Sequence, residues 1–333
     1  MDTQRKLKAV GYTFDAPVNA LAFAEDGSAY AFGLGNGRVH IVRGEERKTI
    51  EAHSGAVPTV CGYGDGFLTL SDDGTLKHIA ADGSLKDIAK FKGVWTERMA
   101  VHKNGSFAVA VGRDVHLWTK MDAEPRILSP HNGTVNDVYF APDGRGLAAA
   151  HRDGVTLWAW PHFEPQPMVL PWKGAHLSVT VSADKRWIVS AMQEGALHMW
   201  NVALKRDYQM RGYFGKPLSM AWSPDKKWLA TSGAETVIVW PFDKAGPEGR
   251  EPLQLGWSNS TLVTHVAAHP EAPVLAAGFE DGAVVMIDLI DKKAFSATAP
   301  SGHAVTALAF APAGDSLIAG TANGGGLHMS FME

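Results

Sequence analysis

Apolar and polar residues alternate along this chain in short runs, and the runs recur. APVNALAFAEDGSAYAFGLGNGRVHIV (16–42), GTVNDVYFAPDGRGLAAAHRDGVTLW (133–158) and HAVTALAFAPAGDSLIAGTANGGGLHM (303–329) share one plan. An alternating apolar segment meets a turn of Pro-Asp-Gly type; a second apolar segment, a Gly-containing hairpin and a third segment ending in bulky residues follow. Alternation with period two over runs this short predicts strands, and Gly, Asn and Asp stand where tight turns need positive φ. Aligned on the turn, eight copies appear, at Asp26-Gly27, Asp65-Gly66, Asn104-Gly105, Asp143-Gly144, Asp184-Lys185, Asp225-Lys226, Glu271-Ala272 and Ala313-Gly314. Five residues earlier stands an apolar residue, from Leu21 and Val60 through Met99, Val138, Val179, Met220 and Val266 to Leu308, at intervals of 39 to 46 residues.

A fourth segment closes each of the first seven units: Thr49–His53, Leu85–Phe91, Arg126–Leu128, Pro167–Leu170, Asp207–Gly212, Glu251–Leu255 and Ala294–Ala299. Four short antiparallel strands every forty-odd residues is the arithmetic of a β-propeller blade. The reading is an all-β chain, one propeller domain over 1–333, with eight four-stranded blades at about 17–53, 56–91, 95–130, 134–171, 176–213, 217–256, 262–300, and 303–331 plus 5–14. Seven blades is the minority reading, since the second and eighth units are the least regular. The last unit stops after three strands, so the N-terminal segment Lys6–Phe14 is expected to supply its fourth and close the ring, covering a sheet edge. The sixth residue of each innermost strand reads Ala22, Cys61, Ala100, Tyr139, Thr180, Ala221, Ala267 and Ala309. Seven of these are small, as expected where strands converge on an axis, and Cys61 is a packed small residue by that logic.

Composition narrows the functional classes. A net charge of −4 disfavours a protein that works by neutralising phosphates, and 45% hydrophobic with 20% charged residues is ordinary for a folded chain. One cysteine excludes an intrachain disulfide framework and a multi-thiolate zinc site. No apolar run has membrane-spanning length, and MDTQRKLKAV leads into no apolar signal core. The expected location is cytoplasmic.

The repeat resembles the WD-repeat β-propellers over essentially the whole chain. His53, His131 and His303 stand at or near that family's Gly-His position. Asp73, Asp153 and Asp281 fill its hairpin position, with Glu194 and Glu235 as near equivalents; Trp118, Trp158, Trp200 and Trp240 fill its Trp position; Asn201 and Asp288 stand for the closing Asp. No literal Trp-Asp occurs, and Val42, Ile79, Ile287 and Ser330 take the Trp position in the other units. The resemblance implies a His–Asp–Ser/Thr–Trp network bracing each blade. The second unit keeps His53, Thr69 and Asp73; the fourth keeps His131, Asp153 and Trp158, with Ala149 at the hydroxyl position.

Catalytic signatures are sparse. There is no His-Glu-x-x-His, no phosphate-binding Gly-x-x-x-x-Gly-Lys-Ser/Thr and no Gly-x-Ser-x-Gly; Gly33-Leu34-Gly35-Asn36-Gly37 lies between strands and reads as a hairpin. His40, His116, His198 and His328 share one repeat column, so they spread around the ring and cannot converge on one metal ion. The early positions of the first strands, Asn19, Glu97, Arg98, Asn136, Asp137, His265 and Thr306, are expected at the mouth of an axial channel. A hydrolase- or lactonase-like enzyme using Glu97, Asp137 and His265, with a hard cation of calcium type, is the alternative function, offered by analogy of fold.

The leading reading is a non-enzymatic scaffold without a cofactor, monomeric by itself, that holds a protein or peptide on the loop face. The loops joining consecutive units carry Phe14, Trp95, Trp172, Tyr213, Phe214 and Trp257, and the resemblance implies that these loops share the partner-binding face with the hairpins of Asp72, Arg113, Arg152, Gln193 and Glu280. Large aromatics dominate interface energetics, and polar residues suit the rim. Trp172 and Tyr213 align with the family's His position, so packing within the blade is their competing reading. Trp187 and Trp228 are expected in blade packing, and 241–250 in a mobile loop. Lys185-Arg186 with Lys226-Lys227 is the one local basic patch that keeps nucleic acid as a third, weaker reading.

Overall fold

The computed structural model describes residues 7–94, 96–159, 167–243 and 246–331, and among them every regular element is a β-strand. Each unit opens with an inner strand, such as Val18–Phe23, and steps outward through hairpins: Val18–Phe23 pairs with Tyr30–Leu34, which pairs with Arg38–Arg43, then Glu46–Glu51. Burial follows the same radial order. The second strand of the first unit is buried throughout, while the outermost strand is almost wholly exposed. A strand buried on both faces reads as a continuous apolar run, and one exposed to water as a polar run; YAFGL against ERKTIE shows that contrast.

The inner strands form a closed ring. Val18–Phe23 packs against Thr59–Tyr63 on one side and Val305–Phe310 on the other, and Val263–Ala268 and Met220–Trp222 continue the circle. Hydrogen bonds tie neighbours together: Thr59 Oγ1 donates to Glu97 O at 2.5 Å, Asn136 Nδ2 to His176 O at 2.8 Å and Thr264 Oγ1 to Val305 O at 2.7 Å. Trp222 Nε1 donates to Thr180 Oγ1 at 2.8 Å, and Thr306 Oγ1 reaches Val18 O at 2.5 Å, joining residues 288 apart in sequence. The N-terminal strand Leu7–Thr13 pairs antiparallel with Gly325–Phe331, from Leu7 opposite Phe331 to Thr13 opposite Gly325. The last sheet is thus completed by the chain's other end, as the strand count predicted; residues 5 and 6 lie outside the described residues.

The strands fall into seven hydrogen-bonded sheets, six of four strands and one of six. The expectation of eight separate four-stranded blades is corrected to seven sheets, the number in the minority reading. Strand continuity is the reason. Gly146–Ala159 and Met168–Val181 each run fourteen residues, and Arg152 pairs with Ala175 across a register shift, so the fourth and fifth sequence units share one sheet. The repeat stays visible in the pairing inside that sheet. Asp137–Phe140 lies opposite Leu147–Ala150, Val155–Leu157 opposite Met168–Leu170, and Ser178–Val181 opposite Ile188–Ala191.

The turns at the face opposite the inter-unit loops repeat a single device. An Asp or Asn carboxyl or amide oxygen accepts the backbone N–H two residues on: Asp26 from Ser28, Asn104 from Ser106, Asp143 from Arg145, Asp184 from Arg186 and Asp225 from Lys227, at 2.9–3.1 Å. The residue between takes positive φ. Gly27 does so at +73° and Gly144 at +69°, whereas Lys185 and Lys226 are held at +58° and +60° against the steric preference of an L side chain. In the connection after Thr236–Pro241, Arg250 bonds the Asp243 carboxylate at 2.5 Å and Gly246 lies against the Trp187 ring. These contacts hold the described part of that connection against the sheet; residues 244 and 245 lie outside the described residues.

Candidate functional site

The inner strands begin around a cavity of about 800 Å³ at one end of the axis. Asn19, Glu97, Arg98, Asp137, His265 and Thr306 line it, six of the seven residues expected there; the seventh, Asn136, spends its amide on His176 O. Charges in the wall are mixed. Burial raises the Asp137 carboxyl above the usual range, against the N–H of Val179, which it accepts at 2.9 Å, and the opposing charge of Arg98. Burial lowers His265, and Arg98 lowers it further; its Nδ1 must donate to Val305 O at 3.2 Å, because a carbonyl only accepts. A guanidinium acting on both Asp137 and His265 opposes a cation at the same place. Among the described residues no three His, Cys, Asp or Glu side chains gather closely enough to hold a metal ion.

Beside this mouth lies an apolar ridge around the hairpin 232–235. Gly215 N–H donates to Gly233 O at 2.8 Å and Gly233 N–H to Val263 O at 2.9 Å, which draws two inter-unit loops onto that hairpin. A side chain at Gly215 would meet Leu262 at 3.1 Å, so Leu262 lies over it, and Leu218 and Leu262 both reach the cavity. Phe214 is 82% exposed, and Trp257, paired opposite Thr236 beside the same hairpin, is 71% exposed. Asp72, Arg152, Gln193 and Glu280 are exposed on their hairpins; Arg113 also sits at the surface but directs Nε and Nη2 to His131 O at 2.8 and 2.7 Å. Trp95 lies outside the described residues.

The remaining aromatics of the inter-unit loops turn inward. Tyr213 gives its hydroxyl to a buried relay with Thr231 and Trp240. Trp172 stacks on His198 with ring centroids 3.9 Å apart. Phe14 packs on Phe32 and His40. These three pack between strands, which is the competing reading for Trp172 and Tyr213. A side chain that replaces histidine at the blade seam inherits its buried position; Trp257, two residues off that column, escapes it.

The bracing networks form in part. In the second unit His53 Nδ1 lies 2.8 Å from Thr75 Oγ1, Nε2 lies 2.9 Å from Thr69 Oγ1, and Thr75 passes its proton to Asp73 at 2.6 Å. His53 therefore reaches Asp73 through Thr75, a residue that the family pattern did not single out; the two lie 3.7 Å apart directly. In the fourth unit Trp158 Nε1 donates to His131 Nε2 at 3.3 Å, while Asp153 turns to Gly174 N at 3.0 Å. The expected His131–Asp153 pair does not form: His131 Nδ1 donates to Arg113 O at 2.8 Å instead, which leaves it no second donor. In the fifth unit His176 bonds Ser190 at 2.7 Å, a role the sequence pattern gave to Trp172's position. Trp118 stacks on Phe107 at 5.0 Å, and Trp200 is buried beside His176 at 5.5 Å. The column of His40, His116, His198 and His328 spreads over different sheets, each ring against an aromatic neighbour. Trp187 is buried against Tyr208 and Phe242, and Trp228 joins an apolar cluster.

The basic patch is largely cancelled. Lys185 bonds Asp143, Arg186 bonds Asp184 and Lys227 lies 3.6 Å from Asp225.

The family model for the WD domain, G-beta repeat, matches residues 124–156 and 207–241. The chain is 25% identical over 117 residues to polyadenylation factor subunit 2 of Candida albicans, covering 34% of this chain and 22% of that protein. It is 28% identical over 145 residues to the small ribosomal subunit protein RACK1y of Oryza sativa subsp. japonica, covering 40% of this chain and 43% of that one. The chain thus spans less than half the length of the curated relatives it matches. The crystal structure of the computationally designed Ika8 protein superposes with a TM-score of 0.75 at 17% identity, over 96% of this chain and 98% of that chain, which is a likeness of fold. Two stretches of this closed ring of sheets thus match the WD-domain repeat, and the chain is similar to WD-repeat β-propellers.

Proposed function

We propose that this protein is a non-catalytic scaffold whose partner, a protein or peptide, docks on the loop face around the axial mouth. The exposure of Phe214 and Trp257 on that face carries the reading. Two large aromatics held in water beside Leu218 and Leu262 form an apolar patch of the kind that marks interaction sites. The exposed hairpin residues Asp72, Arg152, Gln193 and Glu280 supply its polar rim. The relatives' names, a polyadenylation factor subunit and a ribosomal subunit protein, describe parts of larger assemblies, which agrees with such a role. Residues 1–333 act as one propeller domain in this reading. A chain monomeric by itself and a cytoplasmic location belong to the same reading.

The test is affinity capture with the intact chain and with a Phe214→Ser/Trp257→Ser variant. Both positions are exposed, so folding is retained and checked by circular dichroism. A specific protein held by the native chain and lost by the variant supports the proposal. Retention by both, or by neither, overturns it.

A further inference from the structure

The inner strands Met99–Val101, Asp137–Phe140, Met168–Val181 and Met220–Trp222 end around a second cavity, of about 330 Å³, at the opposite end of the axis from the mouth. Val101, Tyr139, Val181 and Trp222 wall it, and Ala183 and Lys226, both exposed, stand at its edge. Two departures from the repeat meet here. Tyr139 is the one bulky residue in a column that is otherwise small. Lys226 occupies, at φ +60°, a left-handed turn position that Gly27, Gly105, Gly144 and Gly314 fill in other units. A position that breaks its own repeat costs stability, and such costs collect at binding sites. Lys185, at the same turn position, gives its ammonium to Asp143 at 2.6 Å, whereas Lys226 has no ion pair among the described residues. The turn carboxylate Asp225 is taken by Ser223 Oγ and the Lys227 N–H, and Asp184 by Arg186. The aromatic walls have spent their polar atoms elsewhere: Trp222 Nε1 donates to Thr180 Oγ1 at 2.8 Å, and the Tyr139 hydroxyl is directed to the same side chain. His102, which also lines the cavity, accepts the Asn104 N–H at Nδ1 and turns Nε2 to Pro142 O at 3.5 Å. Among the described residues, Lys226 is thus the one fixed charge in the lining.

We propose that this cavity binds a small aromatic monocarboxylate, its ring against Tyr139 and Trp222 and its carboxylate on Lys226. The volume holds roughly eleven non-hydrogen atoms at the ~30 Å³ that a water-sized group occupies in a liquid. A ring placed there gains offset or edge contacts with two aromatic walls beyond the area it buries. One unpaired ammonium matches one negative charge, and the charge-assisted hydrogen bond distinguishes the acid from its amide. A dianion or a sugar would bring polar groups against walls that offer them no partner. The cavity shares no residue with the axial mouth, and Phe214 and Trp257 are not among its lining, so this inference stands or falls apart from the scaffold reading.

Isothermal titration of the full chain with trans-cinnamate, its amide and 3-cyclohexylpropanoate tests it. Cinnamate is expected to bind with a dissociation constant of about 1 mM or tighter, and about tenfold more tightly than cinnamamide. The saturated acid is expected to bind about threefold more weakly than cinnamate, having lost the aromatic contacts. Lys226→Gln, at an exposed position, is expected to remove the advantage of the acid over the amide and leave the amide unchanged. Ala183→Trp, exposed at the edge and checked for folding by circular dichroism, is expected to fill the cavity and abolish binding of all three. No heat from millimolar cinnamate, equal affinity for acid and amide in the native chain, equal affinity for the saturated acid, cinnamate binding unchanged in Lys226→Gln, or binding kept by folded Ala183→Trp overturns the proposal. Should Ala183→Trp fail to fold, Lys226→Gln and the two control probes decide alone.

Discussion

Trp240 donates its indole N–H to the hydroxyl of Tyr213 at 2.7 Å. The hydroxyl passes its own proton to Thr231 at 2.8 Å, and Thr231 donates to Ile238 O at 3.0 Å. Every donor in this relay has one acceptor, and Thr231 is fully buried. A tyrosine thus does in the sixth unit what histidine does in the fourth.

Tyr213→Phe removes the acceptor for Trp240 and the donor to Thr231 while keeping the ring. A buried donor left unpaired costs about 1–3 kcal/mol. The urea midpoint is expected to fall by that free energy divided by the slope, with the slope itself unchanged; an unchanged midpoint would show the relay to be dispensable.

Deleting residues 1–14 removes the strand that pairs with Gly325–Phe331 and the Tyr12 and Phe14 rings that pack on Phe32. A sharp drop in melting temperature is expected by circular dichroism. A melting curve like that of the intact chain would show that the ring holds without its closing strand.

Acid should destabilise the fold before most carboxylates titrate. Burial pushes His53 and His198 each down to about 4, and lowers His131, His151 and His176. Each is neutral when folded and takes a proton more readily when unfolded, near 6.5. The unfolded chain therefore binds more protons between those values, and stability is lost as pH falls from about 6.5 towards 4. Each unit of pKa difference is worth about 1.4 kcal/mol per group. Urea midpoints at pH 7.5, 6 and 4.5 should fall in that order; equal midpoints at pH 7.5 and 4.5 would refute the assignment.

Lys226 sits at φ +60° in a turn where four other units place glycine in the left-handed region. The left-handed strain costs about 1–2 kcal/mol, and glycine's greater freedom in the unfolded chain offsets about 0.5–1 kcal/mol of the gain. Lys226→Gly is expected to stabilise the protein by roughly 0.5 kcal/mol net of those two effects. Chemical denaturation measures it, and a lower midpoint would contradict the turn analysis.

Cys61 should resist alkylation. Burial pushes its thiol up to about 12, so thiolate is scarce at neutral pH. Iodoacetamide at pH 8 is expected to label it in urea and leave it largely unlabelled in the folded chain; rapid labelling of the folded chain would show an exposed thiol.

The sequence by itself determined the strands, the turns, the radial order and the meeting of the two ends. These follow from period-two alternation, from turn chemistry and from a repeat whose every copy must bury the same face against its neighbour. It also placed the channel wall, because Asn19, Glu97, Arg98, Asp137, His265 and Thr306 occupy equivalent early positions in their units. Only the tertiary structure decided that two fourteen-residue strands would fuse the fourth and fifth units into one sheet, since pairing of Arg152 with Ala175 joins strands that local pattern treats as separate. It decided as well that Tyr213 would turn inward and Phe214 outward. Adjacent residues of one loop have the same composition and the same propensity; what separates them is whether a buried hydroxyl and an indole wait on the inner side, and that depends on strands eighteen and twenty-seven residues away.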